Sequence, residues 1–340
     1  MILIYITGDG VPKSTRRNRC AAGRHPLGRR GYNGMLYVVL FIAGIAIVLW
    51  SAERVTEGVV GAAASFAVSA FFVGALVSGF EPENLLTGLV ANFAGLPQVA
   101  LGTVIGSALF MLLGGFGAAL VIVPMAVEVP RGGVMVMLAS ILLFGLAFFN
   151  DGIVSRLEGF LLVLGCGALM FRLYKTAPLL LEHSAAEIEK PNRRRALFLI
   201  ALGIAGTVVG AELLVEGARG IIRSFALSET FVGMAVVGLG ESLEETARMV
   251  APARRGRHDV ALGNVVGTTV ALSTLNLGLI ALVSPITADP WVLRFHAPYL
   301  VACAVVVGIL LLALKRLGRW VGGLLILLYV VYLGVNLRYL

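Results

Sequence analysis

Charged side chains are scarce in this sequence, and cysteine and histidine are scarcer still. Only 14% of the 340 residues are Asp, Glu, Lys or Arg, whereas 59% are hydrophobic, which is more apolar surface than a soluble core uses. The cysteines Cys20, Cys166 and Cys303 are scattered, and two of them lie inside apolar runs. Neither a disulfide framework nor a thiolate metal site is therefore indicated.

The four histidines form no catalytic pattern. His25, His183, His258 and His296 lie in the N-terminal segment, in loops or at the edge of an apolar run. The apolar runs contain no paired His, no His-Glu-x-x-His helix and no Gly-x-Ser-x-Gly turn, which are signatures of hydrolases. The sequence therefore predicts a protein that is not an enzyme and that uses no cofactor.

Long apolar runs dominate the chain from residue 35 onward. Many can cross about 30 Å of hydrocarbon, and they are continuous rather than alternating, which favours helices over a barrel. Spans are predicted at 35–51, 58–94, 98–124, 132–149 and 153–173, and then at 196–214, 218–252, 259–284, 295–314 and 319–337. The predicted fold class is an all-α polytopic membrane protein with about ten transmembrane helices.

The net charge of +8 comes from short basic clusters between the apolar runs. This pattern is typical of loops at a membrane surface and does not indicate nucleic-acid binding. The positive-inside rule predicts that both ends of the helical core lie outside the cell membrane. Residues 1–34 are basic and carry no sustained apolar run, which predicts a disordered tail, and Met35 is a candidate for the true start.

The two halves of the chain share a sequence pattern. Segments that recur in order include Ala52-Glu53, Glu57-Gly58 and Ser65-Phe66-Ala67 against Ala211-Glu212, Glu216-Gly217 and Ser224-Phe225-Ala226. Chance similarity between apolar helices does not reproduce polar and glycine positions in order. Residues 35–174 and 195–340 are therefore predicted to be two five-helix repeats joined by a polar loop at 175–194. Because five is odd, the second repeat is expected to be inverted in the membrane.

Acidic residues interrupt the second span of each repeat. The equivalent segments are Ser78-Gly79-Phe80-Glu81-Pro82-Glu83-Asn84 and Gly238-Leu239-Gly240-Glu241-Ser242-Leu243-Glu244-Glu245. A charge at bilayer depth costs about 2.5 to 3.5 kcal/mol on translocon scales, so these carboxylates are functional candidates. Proline and glycine predict broken helices there, with free carbonyl oxygens. Carboxylates and carbonyls together form the kind of oxygen-rich site that Ca²⁺ prefers.

The third span of each repeat opens with small and polar residues, in Gly102-Thr103-Val104-Ile105-Gly106-Ser107 and in Gly263-Asn264-Val265-Val266-Gly267-Thr268. Ser107, Asn264 and Thr268 are candidate oxygen ligands, although close helix packing explains small residues equally well. Glu244 is a weaker candidate than Glu83 or Glu245, because Arg248 lies one turn further along and can neutralise it. Four other glutamates are predicted to be interfacial, namely Glu53, Glu57, Glu212 and Glu216.

This set of motifs resembles the sodium/calcium exchangers of the calcium/cation antiporter superfamily. Each half of that family carries a pattern close to G-T-S-x-P-E, then A-x-x-G-N-x-x-G-S-N and a later proline. The matching residues are Pro82-Glu83, Gly102, Gly106-Ser107, Pro124, Ser242, Glu245, Ala261 to Asn264, Gly267-Thr268 and Pro285. The resemblance covers nearly everything from Met35 onward and implies ten spanning helices, of which the second and seventh are broken. It also implies that Glu83 and Glu245 are central Ca²⁺ carboxylates, with Ser107 and Thr268 as hydroxyl ligands.

The chain departs from the family pattern at several oxygen-bearing positions. Gly79-Phe80 replaces Thr-Ser, Glu241 and Glu244 replace Thr and Pro, Thr103 replaces Asn, and Met111 and Leu272 replace an amide or carboxylate. Fewer neutral oxygens weaken a Na⁺ site, whereas the added carboxyl groups can carry protons. The coupling ion is therefore expected to be either Na⁺ or H⁺.

The predicted function is secondary active cation antiport, with Ca²⁺ exchanged against Na⁺ or H⁺ by alternating access. The expected partners are small cations and the lipid bilayer. Two alternatives stay open at this point: an antiporter for another divalent cation, and a degenerate membrane scaffold that keeps the fold without transport. Cation-dependent thermal stability separates the scaffold from a transporter, because a ligand that binds only the native state stabilises it.

Overall fold

The computed structural model describes residues 28–65, 81–127, 129–148, 150–176 and 193–337. The helices of the first half are α1 (Gly28–Ser65), α2 (Pro82–Phe93), α3 (Pro97–Ile122), α4 (Arg131–Phe148) and α5 (Arg156–Thr176). Those of the second half are α6 (Arg193–Phe225), α7 (Glu229–Phe231, Val232–Val237 and Gly238–Glu241 in succession), α8 (Leu243–Arg254), α9 (His258–Val283), α10 (Val292–Ala313) and α11 (Arg319–Asn336). Residues 1–27 of the predicted tail and most of the predicted loop at 175–194 lie outside the described residues.

Seven helices in the described ranges are long and apolar enough to cross a membrane: α3, α4, α6, α9, α10, α11 and residues Gly34–Gly58 of α1. Their outward faces carry exposed large apolar side chains, such as Leu142 and Phe198, both 64% exposed. Lipid is the medium in which such a surface is stable. The length, composition and exposed faces of these helices are those of a multi-pass membrane protein. The predicted total of ten remains a prediction, because residues 66–80 of the second span lie outside the described part.

The helices α1 and α6 pack along each other through glycines. A Cβ atom on Gly44 would overlap the backbone of Leu214, and one on Gly58 would lie 2.7 Å from the carbonyl oxygen of Ala196. Position numbers rise along α1 as they fall along α6, so the two helices are antiparallel. Glycine lets the backbones touch directly, as is common between membrane helices.

These two helices correct two predicted span boundaries. The sequence indicated ends near residues 51 and 214, yet α1 and α6 continue to Ser65 and Phe225. Arginine neutralises one exposed carboxylate beyond the predicted end of the first span: Glu57 pairs with Arg54 at 3.0 Å and with Arg195 at 2.8 Å. A helix of 38 residues rises about 1.5 Å per residue and so exceeds the hydrocarbon thickness, which requires α1 to tilt or to extend beyond it.

The centre of the bundle is formed by α3 and α9. In the most apolar stretch of α3 83% of the residues are buried, and in that of α9 78%, against 28% for α1 and for α11. Both central helices contain wide π-helical turns, at Gly102–Gly106 and Phe110–Gly115 in α3 and at Ala271–Asn276 in α9. Such turns are rare in proteins and are frequent at functional sites.

Four two-residue strands connect the two halves. β1 (Met125–Ala126) pairs with β4 (Arg316–Leu317), and β2 (Ile153–Val154) pairs with β3 (Ile286–Thr287), both antiparallel. The prediction of a purely helical chain is therefore wrong at these residues. After α3 and α9 end beside a proline, the peptide groups that follow need partners, and the other half of the chain supplies them.

The last helix of each half packs against the central helix of the other half, α11 against α3 and α5 against α9. A Cβ on Gly117 of α3 would lie 2.9 Å from the carbonyl oxygen of Gly322 in α11. A Cβ on Gly278 of α9 would lie 2.8 Å from the carbonyl oxygen of Gly159 in α5. The same type of glycine contact is thus made twice, between equivalent pairs of helices.

We expect that Gly44→Ala destabilises the protein by about 1 to 3 kcal/mol, because the new methyl group forces α1 and α6 apart. The melting temperature of the purified protein in detergent measures this. Gly323→Ala is the matched control, since a Cβ at this exposed position of α11 meets nothing within 4 Å. Equal melting temperatures in the two variants would contradict the close contact of α1 with α6.

Candidate metal centre

The first pair of acidic residues lies where α2 begins. Glu81 precedes the helix, Pro82 is its first residue and Glu83 lies in its first turn. Proline suits this position because the missing N–H would have no helical partner there. Glu81 is 1% exposed and Glu83 is fully buried. Residues 78–80 of the predicted break lie outside the described residues.

The second acidic segment lies where α7 gives way to α8. Glu241 ends α7, Leu243 starts α8, and Ser242 between them has non-helical backbone angles. The interruption predicted in this span is therefore present and one residue long. Glu244 and Glu245 lie in the first turn of α8, where the helix N-terminus favours negative charge.

Crossing glycines bring α7 against α3. A Cβ on Gly238 would lie 2.5 Å from the backbone of Gly106, and a Cβ on Gly106 would lie 2.5 Å from the carbonyl oxygen of Met234. Because the backbones touch, the Ser107 hydroxyl reaches the Gly238 carbonyl oxygen at 3.3 Å. The close packing that the small residues predict therefore also places the end of α7 beside the polar residues of α3.

Carboxylates from the two halves meet in the interior of the bundle. One oxygen each of Glu81, Glu83 and Glu245 lies within 4.8 Å of the other two. All three residues are at most 1% exposed. Glu81 and Glu83 come from the first half and Glu245 comes from the second, so the group forms only when the halves pack together.

Arg248 faces this group of carboxylates. Its predicted ion pair with Glu244 is confirmed, with 2.5 Å between Nη2 and Oε1. The guanidinium also donates to Glu245 Oε1 at 2.7 Å, and it lies 3.7 Å from Glu81 and 3.9 Å from Glu83. The sequence analysis named only the contact with Glu244, although the i,i+3 spacing of Glu245 also allows one. The contacts with Glu81 and Glu83 depend on the approach of α2, which cannot be seen from α8.

Amide and hydroxyl groups of α9 hold the carboxylates in place. Asn264 Nδ2 donates to Glu245 Oε2 at 2.6 Å, and Thr268 Oγ1 donates to Glu81 Oε1 at 3.1 Å. Both residues were predicted for the site, and the structure places both beside its carboxylates. Whether their oxygens bind a cation stays a prediction.

Two asparagines that the sequence analysis did not select also belong to the site. Asn84 donates to Glu81 Oε2 at 3.2 Å and accepts from the Ser107 hydroxyl at 2.9 Å, so Ser107 reaches the carboxylates through this amide. Asn276 donates to the carbonyl oxygen of Glu81 at 3.0 Å. Asn84 directly follows Glu83 and could have been selected from that position. Asn276 ends a π-helical turn, which alters the spacing along α9 and hides its relation to the site.

Glu241 is separate from this group and equally buried, with 1% exposure. Its carboxylate lies beside the Thr87 hydroxyl, yet neither of its oxygens makes a hydrogen bond of normal geometry within the described part of the chain. The two oxygens of Glu83 likewise have no such hydrogen bond among these residues. Buried polar atoms without hydrogen bonds are costly, so these oxygens keep an unused capacity to accept a proton, a hydrogen bond or a cation.

Ser242 is 1% exposed and contributes its backbone to the site. Its carbonyl oxygen accepts a hydrogen bond from the Glu245 N–H at 3.2 Å, which fixes the first turn of α8. Of the predicted ligands, the structure thus brings Glu81, Glu83 and Glu245 together, sets Asn264, Thr268 and Ser107 around them, and leaves Glu241 apart.

Known proteins are similar to this chain in sequence and in fold. Residues 36–174 and 195–338 match the family described as sodium/calcium exchanger protein. The inner membrane protein YrbG of Escherichia coli (strain K12) is 30% identical over 318 residues, which cover 88% of this chain and 97% of that protein. The putative antiporter CaxA of Alkalimonas amylolytica is 27% identical over 315 residues, which cover 88% and 98%.

A solved structure of the sodium-calcium exchanger NCX_Mj, soaked with 2.5 mM Na⁺ and 0.1 mM Sr²⁺, is similar in fold. The TM-score is 0.61 at 26% identity, over 88% of this chain and 99% of the other. These matches cover most of the described residues, including α2, α8 and α9, and they confirm the resemblance that the motifs indicate. The chain belongs to the sodium/calcium exchanger family.

Proposed function

We propose that this protein is a secondary active antiporter that exchanges Ca²⁺ against Na⁺ or H⁺ by alternating access. The observation that carries the proposal is the meeting of Glu81 and Glu83 with Glu245 in a buried group within 4.8 Å. The names of similar proteins support it, since one is a putative antiporter and another is a sodium-calcium exchanger. Exchange of this kind requires no covalent chemistry, so no enzymatic step is proposed.

The oxygen set favours a hard divalent cation. Ca²⁺ takes about six to eight oxygens, and three clustered carboxylates supply both ligands and a negative charge that a monovalent ion neutralises less well. The proposed ligands are Glu83 and Glu245 at the centre with Glu81 beside them, and hydroxyl or amide oxygens from α3 and α9 around them. The residues that complete the proposed set are Ser107, Ser242, Glu241, Glu244, Asn264 and Thr268.

We further propose the ten-helix arrangement of two inverted repeats, with both ends of the core outside the cell membrane. The antiparallel contact of α1 with α6 supports inversion, because these are the first helices of the two halves. The two equivalent glycine contacts, of α3 with α11 and of α9 with α5, support the same symmetry. In repeats of this kind, movement of peripheral helices exposes a central site alternately to each side.

A scaffold without transport is the second candidate function. The observation that favours it is the position of Arg248, whose positive charge already lies among the carboxylates. A site filled permanently by this side chain would bind no metal ion. An antiporter for a different divalent cation uses the same carboxylates and differs from the first proposal only in the ion carried.

We expect that Glu83→Gln and Glu245→Gln each reduce transport to the background level, because each removes a central carboxylate. Uptake of ⁴⁵Ca²⁺ into proteoliposomes under an imposed Na⁺ or H⁺ gradient measures this. The matched control is Glu216→Gln, which removes an exposed carboxylate of α6 that pairs with Arg219. Uptake that is absent from the wild type with both gradients, or equal in all variants, would contradict the proposal.

We also expect Ca²⁺ to raise the melting temperature of the purified wild type. Binding to the native state alone stabilises by about 2.7 kcal/mol at a hundredfold excess of ligand over its dissociation constant. The double variant Glu83→Gln/Glu245→Gln should lose this stabilisation. A wild type whose melting temperature ignores Ca²⁺, Mn²⁺ and Na⁺ would favour the scaffold.

A further inference from the structure

Arg248 bridges carboxylates of both halves. Its Nη1 atom lies 2.7 Å from Glu245 and 3.7 Å from Glu81, while its Nη2 atom lies 2.5 Å from Glu244 and 3.9 Å from Glu83. Each terminal nitrogen thus faces one carboxylate of α8 and one from the start of α2. A metal ion bound by both halves would have to face the same carboxylates.

We propose that Arg248 is a resident counter-cation that competes with the transported cation for these carboxylates. In the ion-free protein its guanidinium neutralises part of their charge, and it withdraws when a cation binds. This inference rests on the proposed function, since it assumes that the site takes up a cation. It assigns to Arg248 a specificity-determining role beyond the predicted pairing with Glu244.

Electrostatics favours a positive charge at this place whenever the carboxylates are ionised and no ion is bound. Glu81, Glu83 and Glu245 are buried and close together, so their charges repel each other with little screening by water. Arginine keeps its charge in proteins, and its planar guanidinium can face several carboxylates at once. One fixed positive charge nevertheless leaves part of the negative charge of four carboxylates uncompensated, which keeps the site attractive to a cation.

The contacts of Arg248 differ in length, and the longer ones are those that its side chain would have to give up when a cation binds. The short contacts are with Glu244 and Glu245 on its own helix, whereas those with Glu81 and Glu83 exceed 3.5 Å. The side chain of Arg248 is 28% exposed and that of Glu244 is 18% exposed, unlike the fully enclosed carboxylates. A small rotation toward Glu244 would therefore keep one ion pair and free the carboxylates of the first half.

Two of the carboxylates, those of Glu81 and Glu245, are held by donors other than Arg248. Asn84 and Thr268 donate to the Glu81 carboxylate, and Asn264 donates to that of Glu245. The long and flexible side chain of Arg248 is the element with room to move. Competition with a unit positive charge also favours a divalent ion, which gains more from the carboxylates than the guanidinium it displaces.

The test measures the Ca²⁺ affinity of the purified full chain from its thermal stability at increasing Ca²⁺ concentration. We expect Arg248→Met to bind Ca²⁺ at least about tenfold more tightly than the wild type, because a competing charge has been removed. Arg248→Lys keeps the charge and should remain within about threefold of the wild type. Arg254→Met is the control, because it removes an exposed arginine at the end of the same helix.

A second comparison covers the case in which Arg248→Met does not fold. Arg248→Met/Glu244→Gln removes one charge of each sign, and it should bind Ca²⁺ more tightly than Glu244→Gln alone. Affinity that is unchanged or weaker without Arg248, in a protein that still binds Ca²⁺, overturns the inference and leaves the proposed function standing. Absence of Ca²⁺ stabilisation in the wild type and every variant overturns the proposed function together with the inference.

Discussion

The enclosure of several carboxylates in an apolar bundle is the constraint to which the rest of the structure responds. A single charge in the middle of a membrane helix costs about 2.5 to 3.5 kcal/mol by insertion scales, and clustered like charges add repulsion. The protein offsets this cost with a guanidinium from α8 and with amide and hydroxyl donors from α2 and α9. Asn264 and Thr268 of α9, which donate to these carboxylates, have their explanation in this requirement.

The same constraint explains where sequence reasoning succeeded. Carboxylates at equivalent positions of two repeats have few stable places in a membrane other than a shared interior, so the meeting of Glu83 with Glu245 was predictable. The interruption at Ser242 was predictable as well, because glycine and clustered acids weaken the helix there. In each case the local chemistry and the repeat pattern indicate the same result.

Sequence reasoning failed where a distant residue changes the meaning of a local pattern. The charged residues after position 51 indicated the end of the first span, yet α1 continues past Glu57, which pairs with Arg54 on the same helix and with Arg195 on α6. Regular α-helical spacing from Asn264 and Thr268 does not predict Asn276 at the site, because a π-helical turn changes the spacing along α9. The reach of Arg248 toward Glu81 depends on how α2 and α8 approach, which no spacing within one helix encodes.

The antiparallel pair of α1 and α6 contacts the site segment at a defined place. A Cβ on Gly240, one residue before Glu241, would lie 2.5 Å from the Ile45 side chain of α1. A side chain at this position would crowd Ile45, so glycine allows α1 to pack one residue away from the buried carboxylate of Glu241.

The four short strands have a mechanical consequence. Each strand pair joins one half of the chain to the other by main-chain hydrogen bonds. Separating the two halves would therefore break the hydrogen bonds of both strand pairs. Neither α1 nor α6 adjoins one of these strands. The helices next to the strands, α3, α5, α9 and α11, are thus tied across the two halves, so the movement that the proposed transport requires is expected of helices that adjoin no strand, such as α1 and α6.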